Sequence, residues 1–208
     1  MLQRLNWLLV QLSRESIISA AMSILNSYGL ADMTMRRVAT SLSVAPGALY
    51  WHISNKQELI SAIAGQILSP VLAATAAPSE ETAEPEQAVE KLYLSLKAHR
   101  DGAELVSAAL AQPGSALWVE LNEFLSSRLE SALPQADTEE RIIAAKTIIH
   151  FVLGATMLEQ SREYIASNTQ AAPAVEQAEN TESTPVESEL TSEMKAGVAI
   201  ILRGLAAS

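Results

Sequence analysis

The stretch that decides the fold of the N-terminal part of the chain is TMRRVATSLSVAPGALYWHISNK, from Thr34 to Lys56. Thr34 is a good N-cap for a short helix, and Pro46 fits the first turn of the next one. Residues 41–43 leave only a short connection between the two helices. The pattern predicts a helix-turn-helix followed by an exposed aromatic and basic cluster, which is typical of a protein that binds DNA.

Each part of this motif has an expected role on DNA. In a helix-turn-helix the first helix crosses the DNA backbone, so Arg36 and Arg37 at its start are expected to contact phosphates. The second helix opens with three small residues, Pro46, Gly47 and Ala48. These let the backbone approach the bases but offer no bidentate hydrogen bonds. Base readout is therefore expected from van der Waals contacts, from thymine methyl groups, and from Arg36 and Tyr50.

The residues after the reading helix allow two interpretations. Tyr50 and Lys56 can contact phosphates and hold the register, or the aromatic pair can pack the small domain while His52 satisfies a loop carbonyl. We expect DNA contact for Tyr50 and Lys56, and packing for Trp51. The predicted DNA-binding set is Thr34, Arg36, Arg37, Pro46, Gly47, Ala48, Tyr50, His52 and Lys56.

Helices are also expected on both sides of the motif. Ser13 precedes apolar residues at three- and four-residue spacing that include Tyr28, and Gly29 ends the run. Another helix is expected from near Asn55 to Ala77. The predicted organisation is an N-terminal extension at residues 1–12 and a DNA-binding domain at residues 13–60.

The remainder, residues 61–208, is predicted to be a helical domain for ligand binding and dimerisation. Its apolar residues recur at helical spacing and no run alternates like a strand, so the fold class is all-α. The expected helices are Glu86–His99, Gly102–Ala111, Ser115–Leu133, Arg141–Tyr164 and Leu190–Leu205. A flexible acidic loop is expected at about residues 166–189, where Ala, Glu, Thr, Ser, Asn and Pro dominate.

The charge is distributed unevenly along the 208 residues. The net charge is -10, yet residues 1–60 carry five basic and three acidic residues, against nine basic and 21 acidic residues in the rest. This split fits a DNA-facing module on an acidic body, although chance plus solvated acidic loops would also produce it. The chain has no cysteine, which excludes disulfides and thiolate sites and favours the cytoplasm.

Neither a membrane anchor nor an enzyme is expected. The apolar run near the N-terminus is too short for a signal peptide, and the 17 residues of Ile142–Leu158 fall short of the roughly 20 that a bilayer span needs. The only histidines are His52, His99 and His150, without metal-ligand spacing. We therefore expect no catalytic residue, no metal and no cofactor.

The helix Arg141–Tyr164 is apolar nearly all round. This pattern predicts that part of its surface is buried against a second subunit. Gly154 at its middle costs roughly 1 kcal/mol relative to Ala, which the close approach of another backbone would explain. Two copies of this helix and of Leu190–Leu205 would form an intermolecular four-helix bundle. A purely intramolecular core is the alternative.

A small-molecule pocket is expected in the helical body. His150 could be either a satisfied core residue or a donor to a ligand. The predicted pocket residues are Leu96, Val106, Leu110, Trp118, Asn122, His150 and Met157.

Three segments resemble a known family. Ser13–Ile63, with LYWHISNKQEL at Leu49–Leu59, resembles the DNA-binding domain of the TetR family of bacterial repressors. HRDGAEL from residue 99 and HFVLGATMLEQ from residue 150 resemble the ligand-binding domain of that family's tetracycline repressors. The resemblance implies operator contacts by Thr34, Arg36, Arg37, Gly47, Ala48, Tyr50 and Lys56.

Departures from that family pattern limit what the resemblance implies. Val106 stands where the magnesium-binding His is expected, and Leu72 lies near the position of a second ligand-contacting His. A magnesium-tetracycline inducer is therefore not expected. Pro46, Gly47 and Ala48 replace the Gln, Pro and Thr that open the reading helix in the tetracycline repressor, so the operator need not be the same.

The sequence thus predicts a homodimeric repressor that binds a palindromic double-stranded operator and is released by a small, mostly apolar effector. A DNA-binding activator or architectural protein without an effector is one alternative. A helical interaction module that does not bind nucleic acid is another.

Overall fold

The computed structural model describes residues 12–73, 85–169 and 186–206. These residues form helices and contain no strand, as expected for an all-α protein. The helices in chain order are α1 (Arg14–Tyr28), α2 (Met35–Ser41), α3 (Pro46–Leu49), α4 (Lys56–Leu72), α5 (Pro85–Lys97), α6 (Gly102–Leu110), α7 (Ala116–Arg128), α8 (Thr138–Thr169) and α9 (Val186–Ala206).

The first three helices begin where the sequence predicts. The Ser13 hydroxyl accepts a hydrogen bond from the Ser16 backbone N–H, and the Ser16 hydroxyl accepts one from the Ser13 backbone N–H, which gives α1 a capping box. Thr34 caps α2, and Pro46 opens α3. Such caps contribute on the order of 1 kcal/mol each, because they satisfy backbone donors that the first helical turn leaves without partners.

The turn between α2 and α3 is held by backbone hydrogen bonds. Ser43 lies in the left-handed region with φ of 57°. The Val44 N–H donates to the Ala39 carbonyl at 3.0 Å, which closes the turn. Leu49 and Ile53 are fully buried in the small core beneath it. The two short helices and their tight turn form a helix-turn-helix.

Helix α4 connects this N-terminal unit to the body. It packs against α1 and also against α5, α6 and α7, and its buried residues run from Leu59 to Val71. The predicted domain boundary after residue 60 therefore lies within one continuous helix. The division into residues 13–60 and 61–208 stays a prediction. The expected end of this helix at Ala77 lies outside the described residues, which stop at Ala73 in this part of the chain.

The body is built around α8. This helix packs against α5, α6, α7 and α9. Its buried residues include Ala144, Ala145, Ile148, Ile149 and Val152. By length and composition α8 could cross a membrane, but one such helix is weak support for a span, and 44% of its most apolar window is buried inside the protein. Its environment is that of a core helix.

Several helix boundaries differ from the sequence predictions. Helix α7 ends at Arg128 and not at Leu133, and turns follow up to Asp137. Pro134 disfavours helical geometry only in Leu133, so it does not explain an end as early as Arg128. The acidic segment expected as a loop at about residues 166–189 is helical at its two edges, because α8 continues to Thr169 and α9 already begins at Val186; the loop itself stays a prediction. The rest of that loop, residues 170–185, lies outside the described residues.

Candidate functional site

The aromatic pair after α3 projects from the N-terminal unit. The side chain of Tyr50 is 52% exposed and that of Trp51 is 90% exposed. The expectation that Trp51 packs the small domain is therefore wrong. Leu49 and Ile53 fill the core from this turn, so the residues between them face outward. The turn presents two large rings to solvent at the end of α3.

The N-terminus of α3 offers a surface with little side-chain bulk. Pro46 and Gly47 are exposed and Ala48 is half-buried. A Cβ placed on Gly47 would have nothing within 4 Å. This surface lets a ligand approach the backbone closely, as the sequence predicts for contact with base edges.

The two arginines of α2 differ in their surroundings. The Arg37 guanidinium forms an ion pair with Asp32 and lies 3.8 Å from the ring centroid of Tyr28. Arg36 is exposed and makes no ion pair within the part of the chain that the structure describes. The Thr34 hydroxyl already accepts from the Arg37 N–H at 3.2 Å, and its proton remains available to donate. Arg36 is thus the more available contact for a phosphate.

Hydrogen bonds fix the position of Lys56 at the start of α4. Asn55 caps this helix by accepting from the Glu58 N–H at 2.9 Å. The Glu58 carboxylate accepts from the Ser54 N–H at 2.7 Å and pairs with Arg14 at the start of α1. The hydrogen bond from Arg14 and those from Ser54 lower the pKa of Glu58 to about 2.

The stability that Glu58 contributes is expected to be lost in acid. Its folded pKa of about 2 lies below the ordinary value of 4.5, so the unfolded chain binds more protons between these values and stability falls as pH falls through them. Glu58→Gln should therefore lower the unfolding midpoint at neutral pH, and the gap to the unmodified protein should narrow as pH falls below 4.5 and close at about pH 2. Solvent screening keeps the effect modest, because the ion pair is at the surface. A gap that is the same at both pH values would contradict this assignment.

A cleft of about 530 Å³ lies between α7 and α8. Trp118 and Asn122 line its α7 wall, and Arg141, Ile142 and Lys146 line its α8 wall. Two of the predicted pocket residues, Trp118 and Asn122, therefore share one cleft. Its volume falls within the range of sites that hold small organic ligands.

Asn122 carries the most informative polar group of this cleft. Its side chain is 7% exposed, and its amide nitrogen Nδ2 has no hydrogen-bond partner within the described part of the chain. A buried amide donor without an acceptor costs roughly 1–3 kcal/mol. Such a group is what a cleft needs to orient an acceptor atom of a ligand.

The other predicted pocket residues do not converge on this cleft. Leu110, Trp118 and His150 line a neighbouring cleft of about 290 Å³, where the rings of Trp118 and His150 stack with centroids 5.6 Å apart. Met157 lines a third cleft, between α1, α6 and α8. Leu96 and Val106 are fully buried core residues and line none of these three.

The turn between α5 and α6 binds the end of α1. The Asp101 carboxylate accepts from the Leu30 N–H at 2.7 Å, and Arg100 donates to the Ser27 carbonyl at 3.3 Å. Gly29 ends α1 with φ of 89°, and a Cβ there would come within 2.6 Å of the Asp101 carboxylate. The fit therefore requires glycine at this position. This turn connects the body to the N-terminal unit.

Helix α8 holds the same turn from the other side. The Gln160 side-chain amide donates to the carbonyls of His99 at 2.8 Å and Leu96 at 3.2 Å, and its oxygen accepts from the Ala103 N–H at 3.3 Å. One glutamine thus satisfies three backbone groups of the turn. Any displacement of α8 at this point would move the turn that binds α1.

The neighbouring residue Glu159 forms a buried polar cluster with α5. It pairs with Lys97 and accepts from the Tyr93 hydroxyl at 3.1 and 3.0 Å. Burial and the hydrogen bond to Glu159 raise the pKa of Tyr93 to about 12. Burial alone would lower the pKa of Lys97, but its hydrogen bonds to Glu159 and Glu163 outweigh that effect and raise it. The cluster fixes α5 against α8.

Sequence reasoning missed this connection between the N-terminal unit and the body. The sequence predicts a helix from Gly102 but indicates no partner for Asp101 and no role for Gln160. Asp101 does precede α6, but with φ of 53° and without a capping hydrogen bond from its side chain. Positive φ in a non-glycine residue is uncommon, although Asp adopts it more readily than most. No local pattern reveals a partner 71 residues away.

Helix α8 exposes an apolar face, and the middle of this face carries a glycine without a side chain. Ile143 and Leu158 are 50% and 61% exposed, and His150 and Gly154 are exposed between them. A Cβ on Gly154 would have nothing within 4 Å among the described residues, so none of these neighbours explains the glycine. On α9, Ile200 is 61% exposed. Exposed apolar faces of this kind mark sites of protein association.

Comparisons with known proteins identify the family. The profile described as "Bacterial regulatory proteins, tetR family" matches residues 17–63. The tetracycline repressor protein class E of Escherichia coli is 31% identical over 165 residues, which cover 77% of this chain and 74% of that protein. The crystal structure of BioQ from Mycobacterium smegmatis has a TM-score of 0.74 and 34% identity, over 95% of this chain and 99% of that chain. BioQ solved with its natural double-stranded DNA operator has a TM-score of 0.71, also at 34% identity, over 95% of this chain and 100% of that chain. The chain therefore belongs to the TetR family of bacterial regulatory proteins.

Proposed function

We propose that this protein is a cytoplasmic transcriptional repressor that binds a palindromic double-stranded operator as a homodimer and is released by a small, mostly apolar effector. The observation that carries the proposal is the exposed pair Tyr50 and Trp51 at the end of α3, a helix that opens with the exposed small residues Pro46 and Gly47. Support comes from BioQ, which was solved with its natural operator. The matched family and the matched repressor are both described as regulatory proteins, in agreement with a protein that is not an enzyme.

On DNA, α3 lies in the major groove and α2 crosses the backbone. Arg36, Tyr50 and Lys56 contact phosphates, while Gly47 and Ala48 approach base edges. Arg37 is already paired with Asp32, so a phosphate contact by Arg37 would have to replace that ion pair. Trp51 joins this surface because it is exposed on the same turn as Tyr50. Thr34, Pro46 and His52 complete the predicted set.

The dimer forms through the exposed faces of α8 and α9. Gly154 lets the two copies of α8 approach closely, and Ile143, Leu158 and Ile200 cover the surrounding surface. A two-fold protein presents two reading helices to two half-sites about one turn of DNA apart. This symmetry is why the operator is palindromic.

The effector binds in the cleft between α7 and α8, where Asn122 and Trp118 lie. Binding displaces α8, and Gln160 transmits the shift to the turn between α5 and α6. Asp101 in that turn carries the shift to the end of α1 and so to the DNA-binding domain. The coupling requires that the effector bind one state better than the other.

The DNA contacts are tested by separating phosphate from base contacts. Lys56→Ala should weaken binding to specific and non-specific DNA alike, and should reduce the slope of log K against log salt by about 0.9. Ala48→Ser should instead change the preferred sequence and leave the slope unchanged, because it touches bases. Fluorescence anisotropy with labelled duplexes measures both. An unaltered slope in Lys56→Ala would rule out its phosphate contact.

A regulator without an effector, including an activator, is the second candidate. The full burial of Leu96 and Val106 favours it, because the body is packed where the sequence predicts part of the pocket. Compounds that raise the melting temperature should lower operator affinity if the first proposal holds. Stabilisation by such compounds with unchanged operator affinity would favour the second candidate.

A further inference from the structure

The α7–α8 cleft has chemistry that selects among effectors. The Nδ2 group of Asn122 is a buried donor without a partner, so the group that fills the cleft there must supply an acceptor atom. A purely apolar molecule would leave this donor without a partner. Some other feature of the cleft must then decide whether the acceptor is neutral or charged.

Lys146 supplies that feature. Its side chain is half-buried in the α8 wall of the cleft and makes no ion pair or hydrogen bond within the residues that the structure describes. The nearby Arg141 is already engaged, because it donates to the Ala136 carbonyl at 2.6 Å and to the Thr138 hydroxyl at 3.4 Å. Lys146 is therefore the cation of this wall that is available to an incoming group.

The acidic residues of the cleft do not neutralise this cation. Glu123 and Glu130 line the same cleft, but both are exposed and neither is paired with Lys146 or Arg141. Exposed carboxylates are screened by water and salt, whereas a half-buried ammonium is screened less. The less exposed side of the cleft is thus positive.

Trp118 provides the apolar wall. Its indole ring is half-buried, stacks on His150, and also lines this cleft. Val119 and Ile142 add apolar surface. A planar or aliphatic body would lie against these side chains, with its polar end directed to Asn122 and Lys146.

We infer that the effector is an organic carboxylate: an apolar aromatic or aliphatic body that carries one carboxylate, which accepts from Asn122 Nδ2 and pairs with Lys146. This inference rests on the proposed use of the cleft as the effector site. A carboxylate has two oxygens and so can accept from both donors at once. A neutral amide offers no charge to Lys146, and an ammonium offers no acceptor to Asn122.

The test compares compounds that share a body and differ only in the polar end. Naphthyl and medium-chain aliphatic carboxylic acids, their primary amides and the corresponding amines would be titrated into the full-length protein, with binding followed by calorimetry up to about 10 mM. At least one acid should bind about tenfold more tightly than its amide, and the amine should bind more weakly still.

Variants locate the charge preference. Lys146→Met keeps the aliphatic stem and should abolish the preference for acid over amide, whereas Lys146→Arg should retain it. Lys91→Met is the matched control, because it removes the same charge from an exposed position of α5. Asn122→Leu should weaken the acid and the amide alike, since both present a carbonyl acceptor. Circular dichroism melts confirm that each variant is folded.

The outcomes separate this inference from the proposed function. Equal binding of acid and amide, no binding by any acid, or an unchanged preference in Lys146→Met would overturn the inference. An acid that binds through Lys146 without changing operator affinity would support the carboxylate preference of the cleft and would contradict the use of this cleft as the effector site. A neutral compound that binds outside this cleft and lowers operator affinity would support effector-controlled repression and overturn the carboxylate inference.

Discussion

Gly154→Arg is expected to convert the proposed dimer into a monomer and to weaken operator binding by at least about a hundredfold. Gly154 is exposed, and a Cβ there meets nothing within 4 Å inside the subunit, so the free chain tolerates the larger side chain. In the dimer the same arginine would place a charge at the centre of an apolar interface, where burial without a partner is costly. A monomer would hold one half-site only and would lose the benefit of linked binding.

Sedimentation velocity measures the oligomeric state, and anisotropy measures operator affinity. Ala108→Arg is the control, because it places the same side chain at an exposed position of a different helix, α6. The control should remain dimeric. A Gly154→Arg protein that is dimeric and binds the operator normally would show that α8 does not form the interface.

Asp101→Ala is expected to uncouple effector binding in the body from operator binding by the DNA-binding domain. The substitution removes the acceptor of the Leu30 N–H and so leaves the end of α1 without its hydrogen bond to the body. Loss of this bond should lower the free energy of unfolding by roughly 1–3 kcal/mol. Hydrogen exchange at the Leu30 amide should accelerate, while the protected amides of α8 change little.

The decisive readout of this variant is coupling and not stability. A compound that lowers operator affinity of the unmodified protein should still bind Asp101→Ala, but should no longer change its operator affinity appreciably. Asp137→Ala is the matched control, because its carboxylate caps α8 by accepting from the Glu140 N–H at 2.9 Å, far from α1 in sequence. It should lose a similar amount of stability and keep the response. An Asp101→Ala protein with a full response would exclude this route.

The sequence predicts well those features whose cause is local. Ser13, Thr34, Pro46 and Asn55 each begin a helix as expected, because a cap or a proline acts on the turn that follows it. Apolar spacing likewise predicts the helical body. The helix-turn-helix is recognisable for the same reason, since its two helices and their turn are consecutive in the chain.

Features that depend on distant residues are not predictable in this way. Trp51 is exposed because Leu49 and Ile53 occupy the core below it, and periodicity cannot assign a side in so short a helix. The pocket prediction selected Leu96 and Val106 as well as Trp118 and Asn122, because sequence does not tell which apolar residues line a cleft and which fill the core.

The composition of a segment does not locate the residues at which a helix ends and a loop begins. The acidic stretch contains Ala and Glu, which are good helix formers, and α8 and α9 extend into it to Thr169 and from Val186. Hydrogen bonds between separate elements, such as those of Gln160 and Asp101, leave no local trace in the sequence.

Binding of a dimer to a palindromic operator is tested most directly by counting the chains on each DNA duplex and mapping the bases that they protect. Duplexes selected by the protein from genomic fragments would be analysed by sedimentation and by nuclease protection. We expect two chains on each duplex, and we expect them to protect inverted half-sites centred about one helical turn apart. One chain on each duplex, a single protected half-site, or failure to select any DNA at low salt would contradict this expectation.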